Sequence, residues 1–407
     1  MEFWNIKRLI IPVLCTYILV DCFARENLPN WNLLDSFQGL LTKQEFEYAL
    51  KTIYCPRVSW YENWLKLNRG EVLIRKKMGK DDWYILSFRD GNLSSNAPLQ
   101  FSISDQNNSL HGLCIALDPG HIGGAFSKME GRHFSIGGEK PVKEGDLVLA
   151  VAKSLSKKLS ILGAEVHLLR EQNKPVTTSR PKDFEKESED WLKQKEILIK
   201  RKYSRIERQK LLTQRKEVLF YRVSEIHARA DHINKVIRPD LTICLHLNAA
   251  PWANPDKFEL VERNDFHILV NGCYMGGELS DDNQRFEMLF RLLNGWHKKE
   301  KLIAENLSNA FSRITKLPAF NYKGPNALKI GDVPGVWARN LLANRIYRCP
   351  VVYLEPYVVN SRDAFGRIIL GDYKGKKKLN GELKYSLVEE YAKSVLEGIQ
   401  NSCVFIK

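Results

Sequence analysis

The chain has 407 residues, 44% of them apolar and 27% charged, with a formal net charge of +14. That length suits two or three domains and that apolar share a real core. The basic balance fits a polyanionic partner such as nucleic acid, a membrane surface or a cell wall. No basic run is interleaved with aromatics as a base-stacking surface requires, so nucleic acid is disfavoured.

Residues 1–24 read as a targeting segment. Lys7 and Arg8 precede an apolar run, Leu9 to Val20, and Cys22-Phe-Ala24 puts small residues where a signal peptidase reads. The run is short for a bilayer span, so the expectation is a cleaved secretory signal with no stable membrane span afterwards. A retained anchor and lipidation at Cys22 are the alternatives, and Asp21 is a poor residue before a modified cysteine. The mature chain is then periplasmic or cell-wall associated. Of eight cysteines, Cys15 and Cys22 fall in this segment; Cys55, Cys114, Cys244, Cys273, Cys349 and Cys403 are scattered without a C-x-x-C pair. That pattern is neither a disulfide framework nor a cysteine zinc knot.

Residues 25–110 read as a small α+β accessory domain. Thr42-Lys-Gln-Glu45 has the form of a capping box, after which Phe46, Leu50 and Ile53 fall at helical spacing, and Trp60, Trp64 and Leu67 continue it. Glu71 to Ile74 and Asp82 to Ser87 read as strands, and Asn92 to Pro98 as a polar connector. No catalytic constellation is visible there; its aromatics leave wall or partner binding open.

The main domain, 111–407, begins with the apolar run Leu113 to Leu117, which reads as a buried strand of a parallel sheet. Asp118-Pro-Gly120 ends it, and His121 stands just beyond, where open α/β sheets bind ligands. A lone histidine at such a turn could equally be a cap or a core residue. A helix opens at Glu144, with Val148, Val151, Ala152, Leu155, Leu159 and Leu162 on one face, and Gly163 closes it. Ala164 to Leu169 is the next strand, completing a β-α-β unit. Residues 180–222 are crowded with Lys, Arg and Glu and read as a charged helix or helical hairpin inserted in the domain, either a solvated face or a contact for anionic wall polymer. Leu241 to Leu245 is a buried strand ending at His246, Phe266 to Val270 a strand, and 272–295 a polar and acidic excursion. Glu300 to Ile314 reads as an amphipathic helix, Trp337 to Asn344 as helical, Pro350 to Leu354 as a last buried strand ending at Glu355, and Tyr385 to Ile399 as a final helix.

Three strands therefore end in His121, His246 and Glu355, and a helix between the first two opens with Glu144. Two His and one Glu, with water in the fourth position, make a catalytic zinc site. Such a metal generates hydroxide at neutral pH, and a further carboxylate can serve as general base. Each residue alone is weak evidence; four at strand or helix ends, each in a distinctive string, is strong.

The strings Leu117-Asp-Pro-Gly-His121, Glu144-Gly-Asp-Leu-Val-Leu-Ala-Val-Ala152, His246-Leu-Asn-Ala249 and Val351-Val-Tyr-Leu-Glu355 resemble those of the zinc-dependent N-acetylmuramoyl-L-alanine amidases of peptidoglycan, in family order across about residues 113–400. The resemblance implies His121, Glu144 and His246 as Zn2+ ligands and Glu355 as the catalytic base. It implies hydrolysis of the amide between N-acetylmuramic acid and L-alanine, with peptidoglycan as partner. It also implies a mixed, mostly parallel twisted α/β sheet of about six strands flanked by helices, which agrees with the strands read above. Some family members are autoinhibited by an inserted helix that offers a carboxylate to the metal. Residues 272–295, with Glu278, Asp281, Asp282 and Glu287, lie in the corresponding region, so a lid relieved by an activator protein is an expectation. Three departures stand out: Ile122 interrupts the His-Gly-Gly string, Pro356-Tyr357 follow Glu355 where a small residue and glycine are usual, and Glu139 competes with Glu144. A zinc hydrolase acting on another wall amide, and a non-catalytic wall-binding scaffold, are the rival functions.

Overall fold

The computed structural model describes residues 29–91, 109–252, 254, 258–379 and 381–402. The expected signal, residues 1–24, and the connector from Asn92 lie outside the described residues. In chain order the helices are α1 (Lys43–Ala49), α2 (Val58–Tyr61), α3 (Glu144–Ile161), α4 (Glu185–Leu198), α5 (Arg205–Val218), α6 (Glu225–Asp231), α7 (Gly276–Leu279), α8 (Asp282–Asn294), α9 (Trp296–Thr315), α10 (Leu342–Ile346), α11 (Arg362–Ile369) and α12 (Leu387–Gln400). The strands are β1 (Leu65–Leu67), β2 (Glu71–Arg75), β3 (Trp83–Ser87), β4 (Cys114–Pro119), β5 (His133–Phe134), β6 (Val142–Lys143), β7 (Glu165–Leu168), β8 (Leu241–Leu245), β9 (Phe266–Val270), β10 (Leu328–Lys329), β11 (Val336–Ala338), β12 (Val351–Pro356), β13 (Lys376–Leu379) and β14 (Glu382–Tyr385).

A seven-stranded sheet in the order β10-β11-β9-β12-β8-β4-β7 forms the centre. Strands β7, β4, β8 and β12 run parallel to one another, β9 runs antiparallel to β12, and β10 caps the far edge. The parallel half is made of the apolar runs read from the sequence: every residue of β8 is buried, as expected of a strand covered on both faces. Helices α3, α9 and α12 cover one face. Here Gly398 is required, since a Cβ would lie 2.7 Å from the Cα of Leu307, so α12 and α9 cross backbone to backbone. On the other face α6 and α10, with the residues directly following each, bury Ala230, Ile233, Ala343 and Tyr347 against Cys244 and Val351.

The fold is thus mixed α/β with a mostly parallel sheet, a small α+β N-terminal unit and a charged helical insertion. The differences from expectation are local. Residues 336–338 form strand β11 rather than a helix, because Val336, Trp337 and Ala338 pair with Ile268, Leu269 and Val270. This strand and β10 bring the sheet to seven strands, and at two and three residues they are too short for a periodicity signal. In the N-terminal unit α2 ends at Tyr61, and Leu65–Leu67 pairs with β2 instead of extending a helix. The α1 capping box is formed: Thr42 Oγ1 accepts from Glu45 N and Glu45 accepts from Thr42 N. The buried residues of this unit, such as Phe46, Tyr54 and Trp64, join one continuous apolar cluster with Leu289, Leu292 and the central sheet.

Segment 272–295, where a lid is expected, becomes α7 and α8 and packs against the N-terminal unit. Cys273 and Tyr274 donate backbone hydrogen bonds to Ile53 and Tyr54 of the N-terminal unit. Phe286, Met288, Leu289, Leu292 and Leu293 are buried. Its carboxylates have local tasks: Glu278 accepts from Met275 N, Asp281 caps α8 at Gln284 N, Asp282 pairs with Arg285 and Glu287 with Arg348. None of them contacts His121, Glu144 or His246. The amphipathic stripe of α8 is a core stripe, which the sequence alone did not separate from a mobile helix. Cys55, Cys114, Cys244, Cys273 and Cys349 are all free thiols, and among the described residues no helix is long and apolar enough to cross a membrane.

Candidate metal centre

Strands β4, β8 and β12 lie side by side in parallel and end together. The register pairs Pro119 with Leu245 and Leu245 with Leu354, so the residues just beyond, His246 and Glu355, emerge on neighbouring strands beside the loop carrying His121. Gly120 makes the close approach possible, since a Cβ there would lie 2.1 Å from the His246 ring. His121 itself sits at φ 59°, the left-handed region a non-glycine residue enters only when its surroundings enforce it. Glu144, the first residue of α3, is delivered to the same point.

The result is a compact donor set. One Glu144 oxygen, Oε1, lies 3.2 Å from His121 Nε2 and 3.2 Å from His246 Nδ1. One donor atom from each of the three residues lies within 4.8 Å of the others, a spacing able to hold a metal ion. The competing Glu139 is exposed, whereas Glu144 is buried and is the glutamate that groups with the two histidines. Glu355 faces the cluster, and its carboxylate makes no hydrogen bond among the described residues. Burial pushes its carboxyl above the usual range and the nearby Glu144 carboxylate pushes it further, against the pull of Arg132 and His121. Glu144 is held below its usual range: burial opposes its charge, but His121 and His246 outweigh that.

A supporting layer surrounds these residues. Glu130 lies 3.6 Å from His121 Nδ1 and accepts from Ile122 N and Gly123 N at 2.8 and 3.1 Å, fixing the ring and its loop together. Such carboxylate–histidine contacts orient metal ligands. The His246 ring stacks on Tyr353 with centroids 4.3 Å apart, and Tyr391 donates to the His246 carbonyl. Arg229 donates to Asp118 Oδ1 and to the carbonyls of Pro119 and His121 at 2.6, 2.9 and 2.9 Å, while Arg170 donates to Pro119, Gly120 and Gly145. Two buried guanidiniums thus clamp the turn from both sides. Ile122, the odd residue of the His-x-Gly-Gly string, is fully buried against Phe184, Leu219, Phe220 and Val223, the root of the inserted helices. After Glu355, Pro356 stays in the strand, and Tyr357 turns at φ 59° with its hydroxyl on Glu390.

The structure brings together all four residues singled out in the sequence. It adds Arg132, Glu130, Arg170 and Arg229, which sequence reasoning missed. Arg132, on the loop between Gly124 and Lys143, donates from Nε to His121 Nε2 at 3.3 Å and lies 3.2 Å from Glu144 Oε2. A cation here is held by two members of the donor set. Only Arg170 had a sequence signal, a charge directly after the apolar strand ending at Leu169.

No protein-family model and no curated relative matches the chain. Solved structures do resemble it. The CwlD amidase of Clostridioides difficile, solved with the GerS lipoprotein, aligns with a TM-score of 0.40 and 13% identity over 71% of this chain and 98% of its own. The N-acetylmuramyl-L-alanine amidase Ami1 of Mycobacterium smegmatis aligns at 0.38 and 14%, over 72% and 98% of the two chains. The N-acetylmuramoyl-L-alanine amidase AmiC2 of Nostoc punctiforme aligns at 0.35 and 13%, over 70% and 94%.

Proposed function

We propose that this chain is a zinc-dependent N-acetylmuramoyl-L-alanine amidase, hydrolysing the amide between the lactyl group of N-acetylmuramic acid and the L-alanine of the stem peptide. The observation that carries the reading is the convergence of His121, Glu144 and His246 on one point, with Glu355, whose carboxylate has no hydrogen-bond partner among the described residues, facing them. Two imidazoles and one carboxylate suit zinc with an open position, and the Arg132 guanidinium already held there indicates that the donors favour a cation.

His121, Glu144 and His246 would hold the ion, which supplies a Lewis acid and an acidified water when bound. Glu130 keeps the His121 ring turned toward the donors, and the Tyr353 ring does the same for His246. Glu355 accepts the proton of the attacking water. Its environment raises its proton affinity, so it can hold that proton and return it to the departing alanine nitrogen. Arg132 is placed to stabilise the negative charge that develops on the scissile carbonyl oxygen.

The test is metal analysis of the purified chain and of His246→Ala, together with digestion of muropeptides followed by mass spectrometry. The expected outcome is about one zinc per chain, lost in the variant, with release of stem peptides bearing a free L-alanine amine. A chain that takes up no zinc when it is supplied, or that binds zinc and cleaves another bond, overturns the reading.

A further inference from the structure

The inserted segment folds as an antiparallel hairpin of α4 and α5. Its root is tied to the body through Phe184, Leu219, Phe220 and Val223, packed on Ile122 next to His121. Along its length Glu196 binds Arg208 at 2.6 Å, and the Trp191 ring lies between Lys195 and Arg215. Ser204 and Glu207 form a capping box at the start of α5, so the turn is a built structure.

The far end of this hairpin presents aliphatic side chains to solvent. Ile197, Leu198, Ile199 and Ile206 are 74%, 82%, 46% and 83% exposed. They are four large apolar residues clustered at one turn, unlike the scattered single exposures normal for a surface. The same turn carries the exposed cations Lys200, Arg201, Lys202 and Arg205. From residue 193 to residue 210 there are eight Lys or Arg against two Glu, and both carboxylates are engaged within the hairpin, Glu196 by Arg208 and Glu207 by Arg201.

We propose that this tip seats on the surface of an anionic phospholipid bilayer. Ile197, Leu198, Ile199 and Ile206 enter the headgroup boundary while Lys200, Arg201, Lys202 and Arg205 meet the lipid phosphates. Aliphatics ringed by Lys and Arg are the composition that binds such an interface. An anionic wall polymer would meet the cations but offers no hydrocarbon to the four aliphatics. A second copy of the chain would set two strongly cationic tips against each other. Each hairpin helix has 14 residues, so the tip stands about 21 Å from its root. Docking there would hold the His121 loop at that order of distance above the membrane.

The test is co-sedimentation of the full chain with vesicles of equimolar phosphatidylcholine and phosphatidylglycerol, and with phosphatidylcholine alone. The chain should bind the mixed vesicles and not the neutral ones. The variant Ile197→Ser, Leu198→Ser, Ile206→Ser should lose affinity by about tenfold or more while keeping its thermal midpoint and its metal content. Lys200→Gln, Arg201→Gln, Lys202→Gln should weaken binding and flatten its salt dependence. Absence of binding to the mixed vesicles overturns the proposal. So does full retention of binding by the serine variant, which would mean that charge alone acts and any polyanion would serve, or a serine-sensitive dimer in sedimentation velocity.

Discussion

At the junction of the N-terminal unit with α8 and α9, Arg285 and Arg291 are completely buried and almost fully answered. Arg285 donates to the carbonyls of Arg75, Lys76 and Leu279 and pairs with Asp282; Arg291 donates to Tyr347 O and pairs with Glu300, whose Oε1 also accepts from Val351 N. At the ends of β4, β8 and β12 the treatment is opposite. Among the described residues the Glu355 carboxylate has no hydrogen-bond partner, and Glu144 is shared by two imidazoles and a guanidinium. A paired buried charge joins elements and is unavailable for chemistry. A carboxylate left without a partner, beside a second one, stores proton affinity and attracts a cation. The contrast teaches that burial of charge does not mark a site; imidazoles and carboxylates converging on one point do.

The contrast breaks first at Glu355. Glu355→Gln removes the proton acceptor but no metal donor, so metal content should stay at the parental level while turnover falls by about 10²–10⁴. Parental turnover in that variant would remove Glu355 from the base role. At the structural pole the effect should appear in stability instead. Glu300→Leu leaves the Arg291 charge buried without its carboxylate and should cost about 3–5 kcal/mol in urea unfolding with metal content unchanged, whereas Arg291→Met combined with Glu300→Leu should recover most of that. A double variant as unstable as the single would contradict the pairing account.

Acidity should probe the same junction. His297 on α9 meets the Tyr54 hydroxyl at 3.5 Å and stacks edge-on against that ring. Burial, with Lys298 and Arg291 adding to it, lowers its pKa from 6.5 to about 4. The unfolded chain therefore takes up a proton between pH 6.5 and about 4 that the folded chain refuses, so stability is complete above 6.5 and falls on acidification through that window. The loss attributable to His297 is roughly 3 kcal/mol at 1.36 kcal/mol per pH unit. His297→Phe should flatten the dependence of thermal midpoint on pH by that share. His267, lowered to about 3 by burial with Arg339 and Arg263 nearby, leaves a residual slope of the same sign. The smallest expected effect lies just behind the donor set: Glu130→Gln should weaken metal affinity by about 10- to 100-fold in competition with a chromophoric chelator, through a looser His121 ring. Unaltered affinity would mean that the His121 loop is oriented by Arg229 and Arg170 without it.

The sequence by itself determined the parts of this protein that depend on local pattern. Apolar runs of five or six residues with turn residues after them became β4, β8 and β12, because a strand buried on both faces needs an uninterrupted apolar string. The one-faced pattern after Glu144 became α3, and the crowded charges of 180–222 became a helical hairpin. Since parallel strands end on one edge of the sheet, strand ends already put His121, His246 and Glu355 on one side; the strand order β12-β8-β4 made them neighbours. Only the tertiary structure decided what meets across long separations. It set the Arg132 guanidinium against His121 and Glu144, the Glu130 carboxylate behind the His121 ring, and Arg170 and Arg229 around one turn. It paired the short β10 and β11, whose two and three residues carry no period. It also turned the α8 excursion into core, because an amphipathic stripe records that a face must be covered and not which surface covers it.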